Sequence, residues 1–221
     1  MVKREDVGRF AGKIYEEAQR LITLVEDILN LSHLDEGAPG QERRQGIDLY
    51  ALCERAVASL AEAARQRGIA ISLTGSRQRV DGAEKLLAEI IFNLCDNAIK
   101  YNRPGGKITT RTDSLGEQDG KCIYRWTISD TGIGMSPDFV DHIFEPFTQE
   151  KQDARSYYHG TGLGMTITKE LVDRMGGSIA VTSQLGVGST FVITLPFEIA
   201  PSPEQTPDAH AAPDISIAGC R

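Results

Sequence analysis

The segment of residues 89–102, EIIFNLCDNAIKYN, constrains the fold most, because it combines the composition of a core helix with a stripe of polar groups. At about 100° per residue, these polar groups fall within an arc of roughly 80°, namely Glu89, Asn93, Asn97 and Lys100. The remaining surface is mostly apolar. Buried amides and charges are unfavourable unless they have partners. The stripe therefore predicts a face toward a ligand, ordered water or a metal, although an amphipathic helix with a solvated polar side would show the same pattern.

Length and composition predict one soluble domain of about 150 residues with appendages. The net charge of −7 argues against a nucleic-acid partner, which requires a basic face. The sequence has no apolar run near the roughly 18 residues that cross a membrane, and its start, MVKRED, does not resemble a signal peptide. The four cysteines are scattered, which favours a reduced, cytoplasmic setting.

Hydrophobic periodicity predicts helices and strands in alternation after residue 47. One helix is predicted from Asp48 to about Arg67, a second from about Gly82 to Asn102, and a third at residues 163–175. Strands are predicted at residues 69–74, around Val80, and at 107–114, 121–129, 178–184 and 189–195. Helices on one face of a mixed, mostly antiparallel sheet give an α+β fold, a two-layer α/β sandwich, which one long helix precedes.

Three short motifs follow the asparagine-containing helix in order: DTGIG at residues 130–134, FEPF at 144–147 and GTGLG at 160–164. DTG alone is typical of a turn after a strand. The ordered set is far more specific. Through these motifs, residues 47–197 resemble the catalytic ATP-binding domain of sensor histidine kinases, within the superfamily that also includes gyrase B, Hsp90 and MutL.

The resemblance implies ATP and Mg²⁺ as ligands. Asp130 would accept a hydrogen bond from the amino group of adenine, and a carboxylate selects adenine over guanine because it cannot donate. Gly132 and Gly134 would let the backbone approach the base. Asn93 would be the magnesium ligand, because a side-chain oxygen can complete an octahedral shell with phosphate oxygens and water.

Further residues would contact the rest of the nucleotide. Asn97 would contact the nucleotide from the same face as Asn93, and Lys100 would supply charge toward the phosphates. Tyr101 would pack either along the purine or ribose or in the core. The third motif would wrap the triphosphate and expose backbone N–H groups at a helix start, through Gly160, Thr161, Gly162, Leu163 and Gly164. Phe144 and Phe147 would anchor the mobile lid between the two glycine motifs.

Two roles are open for Glu89, the predicted catalytic residue. In the ATP-hydrolysing relatives an acidic residue four positions before the metal-binding asparagine activates water. In histidine kinases the corresponding carboxylate would deprotonate or orient the acceptor imidazole. A carboxylate near the γ-phosphate fits both roles.

Outside the domain, residues 1–36 contain a predicted long amphipathic helix that resembles the second helix of a dimerisation and phosphotransfer hairpin. The first hairpin helix, with its acceptor histidine in a His-Glu-x-x-Thr-Pro type motif, is absent from this sequence. His33 is not predicted to be the acceptor instead, because it lies near the end of the predicted helix, where a cationic or polar residue is common. Residues 37–46 are predicted to be a linker and residues 198–221, which are rich in proline, a disordered tail.

The resulting prediction is the truncated catalytic part of an ATP-dependent protein-histidine kinase of a two-component system. Its partners would be a response regulator and, in the intact protein, a second copy that pairs through the N-terminal helix. It would act in the cytoplasm, free or as part of a membrane-anchored sensor. Two alternatives are open: an ATP-hydrolysing switch or protein-serine kinase of the same superfamily, and a non-catalytic nucleotide-binding module.

Overall fold

The computed structural model describes residues 44–77, 79–150, 161–198 and 215–217, together with seven helical positions between residues 14 and 29. The elements are, in chain order, β1 (Arg44–Asp48), α1 (Leu49–Gln66), β2 (Ala70–Gly75), β3 (Arg79–Gly82), α2 (Glu84–Lys100), β4 (Lys107–Gln118), β5 (Lys121–Asp130), α3 (Pro137–Val140), α4 (Gly164–Arg174), β6 (Ser178–Gln184), β7 (Gly188–Glu198) and β8 (Ile215–Ile217). Within this described part, no helix has the length and apolar character needed to span a membrane.

A six-stranded mixed sheet with the strand order β6-β7-β5-β4-β2-β8 forms one layer. The β2–β4 pair is parallel and the other pairs are antiparallel. Side chains alternate along each strand, so that one face of β5 and β7 is buried and the other is half-exposed. A separate antiparallel ribbon joins β1 to β3.

The helices α1, α2 and α4 form the second layer, and their apolar faces pack on the buried face of the sheet. Helix α1 begins where the Asp48 carboxylate accepts a hydrogen bond from the Ala51 N–H at 3.0 Å, as a good N-cap residue does. It ends before Gly68, whose φ of +66° stops the helix. The predicted two-layer α+β sandwich with helices on one face is confirmed.

Two boundary predictions were wrong. Strand β1 begins at Arg44, inside the segment predicted to be a linker, because its backbone pairs with β3 and the Gly46 N–H donates to the Asp81 carboxylate at 2.8 Å. Within the tail predicted to be disordered, Ile215–Ile217 form β8 beside β2. The Ile-Ser-Ile alternation suits a strand, and the outer edge of β2 offers unpaired backbone groups.

Two further elements differ from the sequence-based prediction. Strand β4 continues to Gln118 rather than ending at residue 114, so the turn before β5 contains only Asp119 and Gly120. The short helix α3 was not predicted; Ser136 caps it and Pro137 occupies its first turn.

Candidate functional site

The polar stripe of α2 lies at the border between the core and solvent. Glu89, Asn93, Asn97 and Lys100 are half-buried, whereas the opposite side of the helix, which includes Leu94 and Ile99, is buried. Asp96 belongs to the same stripe and is also half-buried, although it was not predicted from the sequence. Its spacing, three residues after Asn93, could have revealed it. The helix therefore presents a row of amides and charges on one half-buried face. We call the space between this face, the first turn of α4 and the loop after Asp130 the groove.

The stripe of α2 lies beside the first turn of α4. The Asn97 Nδ2 atom donates to the Met165 sulfur at 3.3 Å, and Met165 is the second residue of α4. The N-cap residue Leu163 makes no side-chain hydrogen bond to the first turn of α4, and the helix dipole favours an anion beside that turn. The amide-bearing face of α2 and the open N-terminus of α4 thus line the same region.

Asp130 ends β5 and lies at the other end of this region. Its Oδ1 atom accepts the Gly132 N–H at 2.7 Å, and the carboxylate also accepts the Ser189 N–H. Burial raises the pKa of the Asp130 carboxyl, and these two hydrogen bonds offset only part of that effect. The loop therefore holds a partly desolvated hydrogen-bond acceptor at a fixed position. Ser189 was not found from the sequence, because it lies 59 residues away from Asp130 along the chain.

Close backbone packing explains both glycines of the DTGIG motif. A Cβ atom on Gly132 would lie 2.4 Å from the Tyr101 carbonyl oxygen, and one on Gly134 would lie 1.9 Å from the Gln184 carbonyl oxygen. Gly134 also has a φ of +64°, which disfavours any side chain. The loop is therefore held between the end of α2 and the β6–β7 turn.

Tyr101 and Lys100 lie where α2 ends. The Lys100 Nζ atom is 6.0 Å from the centroid of the Tyr101 ring, at the limit of a cation–π contact. Burial, and to a lesser degree the Asp96 charge, raises the pKa of the Tyr101 hydroxyl. Tyr101 is half-buried, so its ring contributes to the wall of the groove without being enclosed in the core.

The Asn93 side chain suits a magnesium ion that takes most of its ligands from water and phosphate oxygens. Among the described residues no group of three or more His, Cys, Asp or Glu side chains could form a metal site. One amide oxygen from Asn93 is nevertheless the kind of single protein ligand that Mg²⁺ accepts when a substrate supplies the other oxygens.

Part of the third motif and most of the predicted lid lie outside the described residues, including Gly160, Lys151 and Arg155. Within the described part, the Leu163 N–H donates to Thr161 Oγ1 at 3.3 Å, and the Leu163 side chain is buried. Gly162 accepts the Phe147 N–H at 3.1 Å through its carbonyl oxygen.

The prediction that Phe147 anchors the lid was wrong, because its side chain is 63% exposed and its φ is +62°. The buried residue of this segment is Ile143, which is 7% exposed, and Phe144 packs partly against the core beside it. Aromatic residues in such a short motif do not indicate which of them faces inward.

Comparisons with known proteins identify relatives of this chain. A family described as histidine kinase-, DNA gyrase B- and HSP90-like ATPase matches residues 82–199. The sensor histidine kinase AruS of Pseudomonas aeruginosa is 32% identical over 200 residues, which cover 89% of this chain and 20% of AruS. The circadian input-output histidine kinase CikA of Synechococcus elongatus is 33% identical over 208 residues, which cover 89% of this chain and 27% of CikA.

Among solved structures, that of full-length ShkA in complex with AMPPNP has a TM-score of 0.71 and 27% sequence identity, over 91% of this chain and 41% of ShkA. The chain thus spans between a fifth and less than half of the length of these proteins.

Proposed function

We propose that this chain is the ATP-binding catalytic part of a two-component sensor histidine kinase. The premise is that the chain belongs to the family of histidine kinase-, DNA gyrase B- and HSP90-like ATPases. The observation that carries the proposal is the placement of three features around one groove. These are the polar stripe of α2, the uncapped start of α4 and the fixed Asp130 carboxylate.

Asp130 is proposed to recognise adenine. The two backbone N–H groups that bind its carboxylate hold the acceptor in place, so that it can accept from an exocyclic amine without first reorganising. Guanine would place an oxygen opposite this carboxylate and be repelled. Gly132 and Gly134 keep the loop thin against α2 and the β6–β7 turn, and Tyr101 supplies an apolar wall for the purine or ribose.

The phosphates are proposed to lie between α2 and the start of α4. Asn93 would hold Mg²⁺, while Asn97 and Lys100 would contact the nucleotide from the same side. When bound, Mg²⁺ neutralises charge on the phosphate oxygens. The backbone N–H groups of the GTGLG motif (Gly160, Thr161, Gly162, Leu163 and Gly164) would do the same from the opposite side.

The proposed reaction moves the γ-phosphoryl group from ATP to a histidine nitrogen on a hairpin helix outside these 221 residues. The bond between the γ-phosphorus and the bridging oxygen breaks, ADP leaves, and a phosphorus–nitrogen bond forms. Glu89 is proposed to orient the acceptor imidazole and take its proton. Catalysis would then rest mainly on positioning and charge stabilisation.

The N-terminal segment supports the proposal that the intact protein is a dimer. Six apolar side chains at helical positions are at least half exposed: Ile14, Tyr15, Leu21, Ile22, Val25 and Leu29. Such a helix face is stable only when a partner helix covers it. A response regulator is the proposed recipient of the phosphoryl group, and the cytoplasm is the proposed location.

Replacing Asn93 tests the metal site. We expect Asn93→Ala to weaken Mg-ADP binding by about tenfold to a hundredfold, since a charge-assisted contact contributes about 1.5–3 kcal/mol. Removing Mg²⁺ with EDTA should weaken wild-type binding by a similar factor and change the variant little. Titration calorimetry measures both effects. Lys85→Ala, at an exposed position of the same helix, is the control, and an undiminished Mg²⁺ effect in the variant would contradict the assignment.

A substitution at Gly164 can distinguish an effect on phosphate binding from an effect on stability. No described heavy atom lies within 4 Å of a Cβ built at Gly164, and its φ is not in the left-handed region. Gly164→Ala should therefore leave the free energy of unfolding unchanged or raise it by up to about 1 kcal/mol. The added methyl group should weaken ATP binding about tenfold by holding the phosphates away from the α4 N–H groups. Thermal unfolding and calorimetry together check this, and equal affinity would exclude close phosphate approach there.

Phosphotransfer itself can be tested with γ-labelled ATP and a purified hairpin that carries a histidine acceptor from a related kinase. We expect label on the hairpin that is stable in base and lost in acid, and little phosphate release without the hairpin. Steady phosphate release by the chain alone would instead favour the ATP-hydrolysing alternative. Binding without either reaction would favour a nucleotide-sensing module.

A further inference from the structure

The last turn of α2 is held by a residue from a different helix. The Arg67 guanidinium, at the end of α1, donates to the carbonyl oxygens of Ile99 and Lys100, each at 2.7 Å, and to that of Asn102 at 3.1 Å. A helix end leaves its last carbonyl groups without helical partners. A cation at this end also interacts favourably with the negative end of the helix dipole. One half-buried side chain therefore satisfies three of the four carbonyl groups of residues 99–102.

The fourth carbonyl group of this turn belongs to Tyr101, and it accepts the Ile133 N–H at 3.1 Å. The same oxygen would lie 2.4 Å from a Cβ on Gly132, so the loop packs directly against it. The Gly132 N–H in turn donates to the Asp130 carboxylate at 2.7 Å. A continuous set of contacts therefore runs from Arg67 through the end of α2 to Asp130.

Asn102 strengthens the same junction. It is buried, and its Nδ2 atom donates to the Lys107 carbonyl oxygen at 3.3 Å. Lys107 is also bound to the loop, because its N–H donates to Thr131 Oγ1 at 2.9 Å and its carbonyl oxygen accepts the Thr131 N–H at 3.0 Å. Displacing the end of α2 would therefore displace both sides of the adenine end of the groove.

We propose that Arg67 is a positioning residue for nucleotide binding. Its guanidinium fixes the last turn of α2 and, through the carbonyl oxygen of Tyr101, the loop that carries Asp130. The inference rests on the proposed function, since it concerns the same nucleotide site. Each of the three bonds from Arg67 ends on a backbone carbonyl oxygen, so its effect on the site is transmitted through the position of the backbone.

The test compares Arg67→Met, Arg67→Lys and the control Arg65→Met. Arg65 lies in the last turn of the same helix, its side chain is 63% exposed, and it pairs only with the exposed Glu62 among the described ion pairs. We expect the Kd for ADP to rise about tenfold in Arg67→Met, about threefold in Arg67→Lys, because an ammonium cannot span three carbonyl groups, and not at all in Arg65→Met.

Two readouts distinguish positioning from a loss of folding. Binding is measured at a temperature where circular dichroism shows each variant to be at least nine-tenths folded, so unfolding can raise the apparent Kd only about 1.1-fold. Hydrogen exchange should accelerate about tenfold at the Ile133 amide while the amides of β5 and β7 stay protected. General destabilisation would accelerate exchange at the strands as well.

A Kd within twofold of wild type in both Arg67 variants, or a uniform loss of protection across the sheet, would overturn the inference. Should Arg67→Met fail to fold, Arg67→Lys carries the test. A wild-type chain that does not bind ADP would overturn the proposed function and this inference with it. A wild-type chain that binds ADP beside Arg67 variants that bind equally well would overturn only the role of Arg67.

Discussion

Asp130→Asn is expected to reduce the affinity for ADP by about a hundredfold, since the variant loses a charge-assisted hydrogen bond worth about 1.5–3 kcal/mol. The amide keeps the shape of the carboxylate but presents an N–H group to part of the site, where adenine also donates. Calorimetric titration with ADP measures the loss. Asp113→Asn is the control, because that carboxylate pairs with Arg111 at 2.8 Å on β4.

The same substitution is expected to change how stability depends on pH. Burial raises the pKa of Asp130 in the folded state, so folding favours its protonated form. This contribution is fully present below the unfolded-state pKa of about 3.9 and is lost as the pH rises through the folded-state value. Relative to wild type, Asp130→Asn should therefore gain thermal stability as the pH rises above about 4.

The two measurements together are diagnostic. A residue that mainly holds the fold together would lose stability and binding in parallel when it is replaced. A residue that serves ligand recognition destabilises the fold in its ionised form, so its replacement should raise stability and weaken binding. An Asp130→Asn chain that binds ADP within threefold of wild type would contradict the adenine assignment.

Gly134→Ala is expected to have the largest effect on folding. The added Cβ would lie 1.9 Å from the Gln184 carbonyl oxygen, and the φ of +64° adds left-handed strain. The β6–β7 turn must move, which would break the hydrogen bond from the Gly186 N–H to the Ile133 carbonyl oxygen. We expect the free energy of unfolding to fall by at least about 3 kcal/mol and ADP binding to be lost.

Gly120→Ala is the matched control for this variant. Gly120 has a φ of +74°, similar to that of Gly134, but nothing lies within 4 Å of its Cβ position. The free energy of unfolding of Gly120→Ala should fall only by the left-handed strain, which is about 1–2 kcal/mol. Urea denaturation of the two variants then isolates the contribution of close packing, and equal midpoints would show that packing at Gly134 is dispensable.

Local patterns predicted most of the fold. The period of apolar residues located α1, α2, α4 and the strands β4 to β7 within a few residues, because each buries one face. The β1 and β8 strands were missed, since their pairing partners lie far away along the chain and their own segments are rich in turn residues. The register between distant strands is a tertiary property.

The candidate site divides in the same way. The stripe from Glu89 to Lys100 and the DTGIG loop could be predicted because their spacing or motif is local. The roles of Asn93, Asp130 and the third motif remain predictions that the variants above test. Arg67 and Ser189 could not be found, because their contacts with the site depend on how residues more than 30 positions apart are brought together.

The β1–β3 ribbon has a mechanical consequence. The chain enters the domain through β1, yet β1 pairs with β3 and not with the six-stranded sheet. Strand β3 ends at Gly82, two residues before α2 begins. A pull or twist on residue 43 would therefore be transmitted to α1, which follows β1 directly, and through β3 to the amino end of α2. The β1–β3 ribbon thus connects the groove mechanically to the segment that precedes the domain, and the six-stranded sheet is the rigid part against which the ribbon moves.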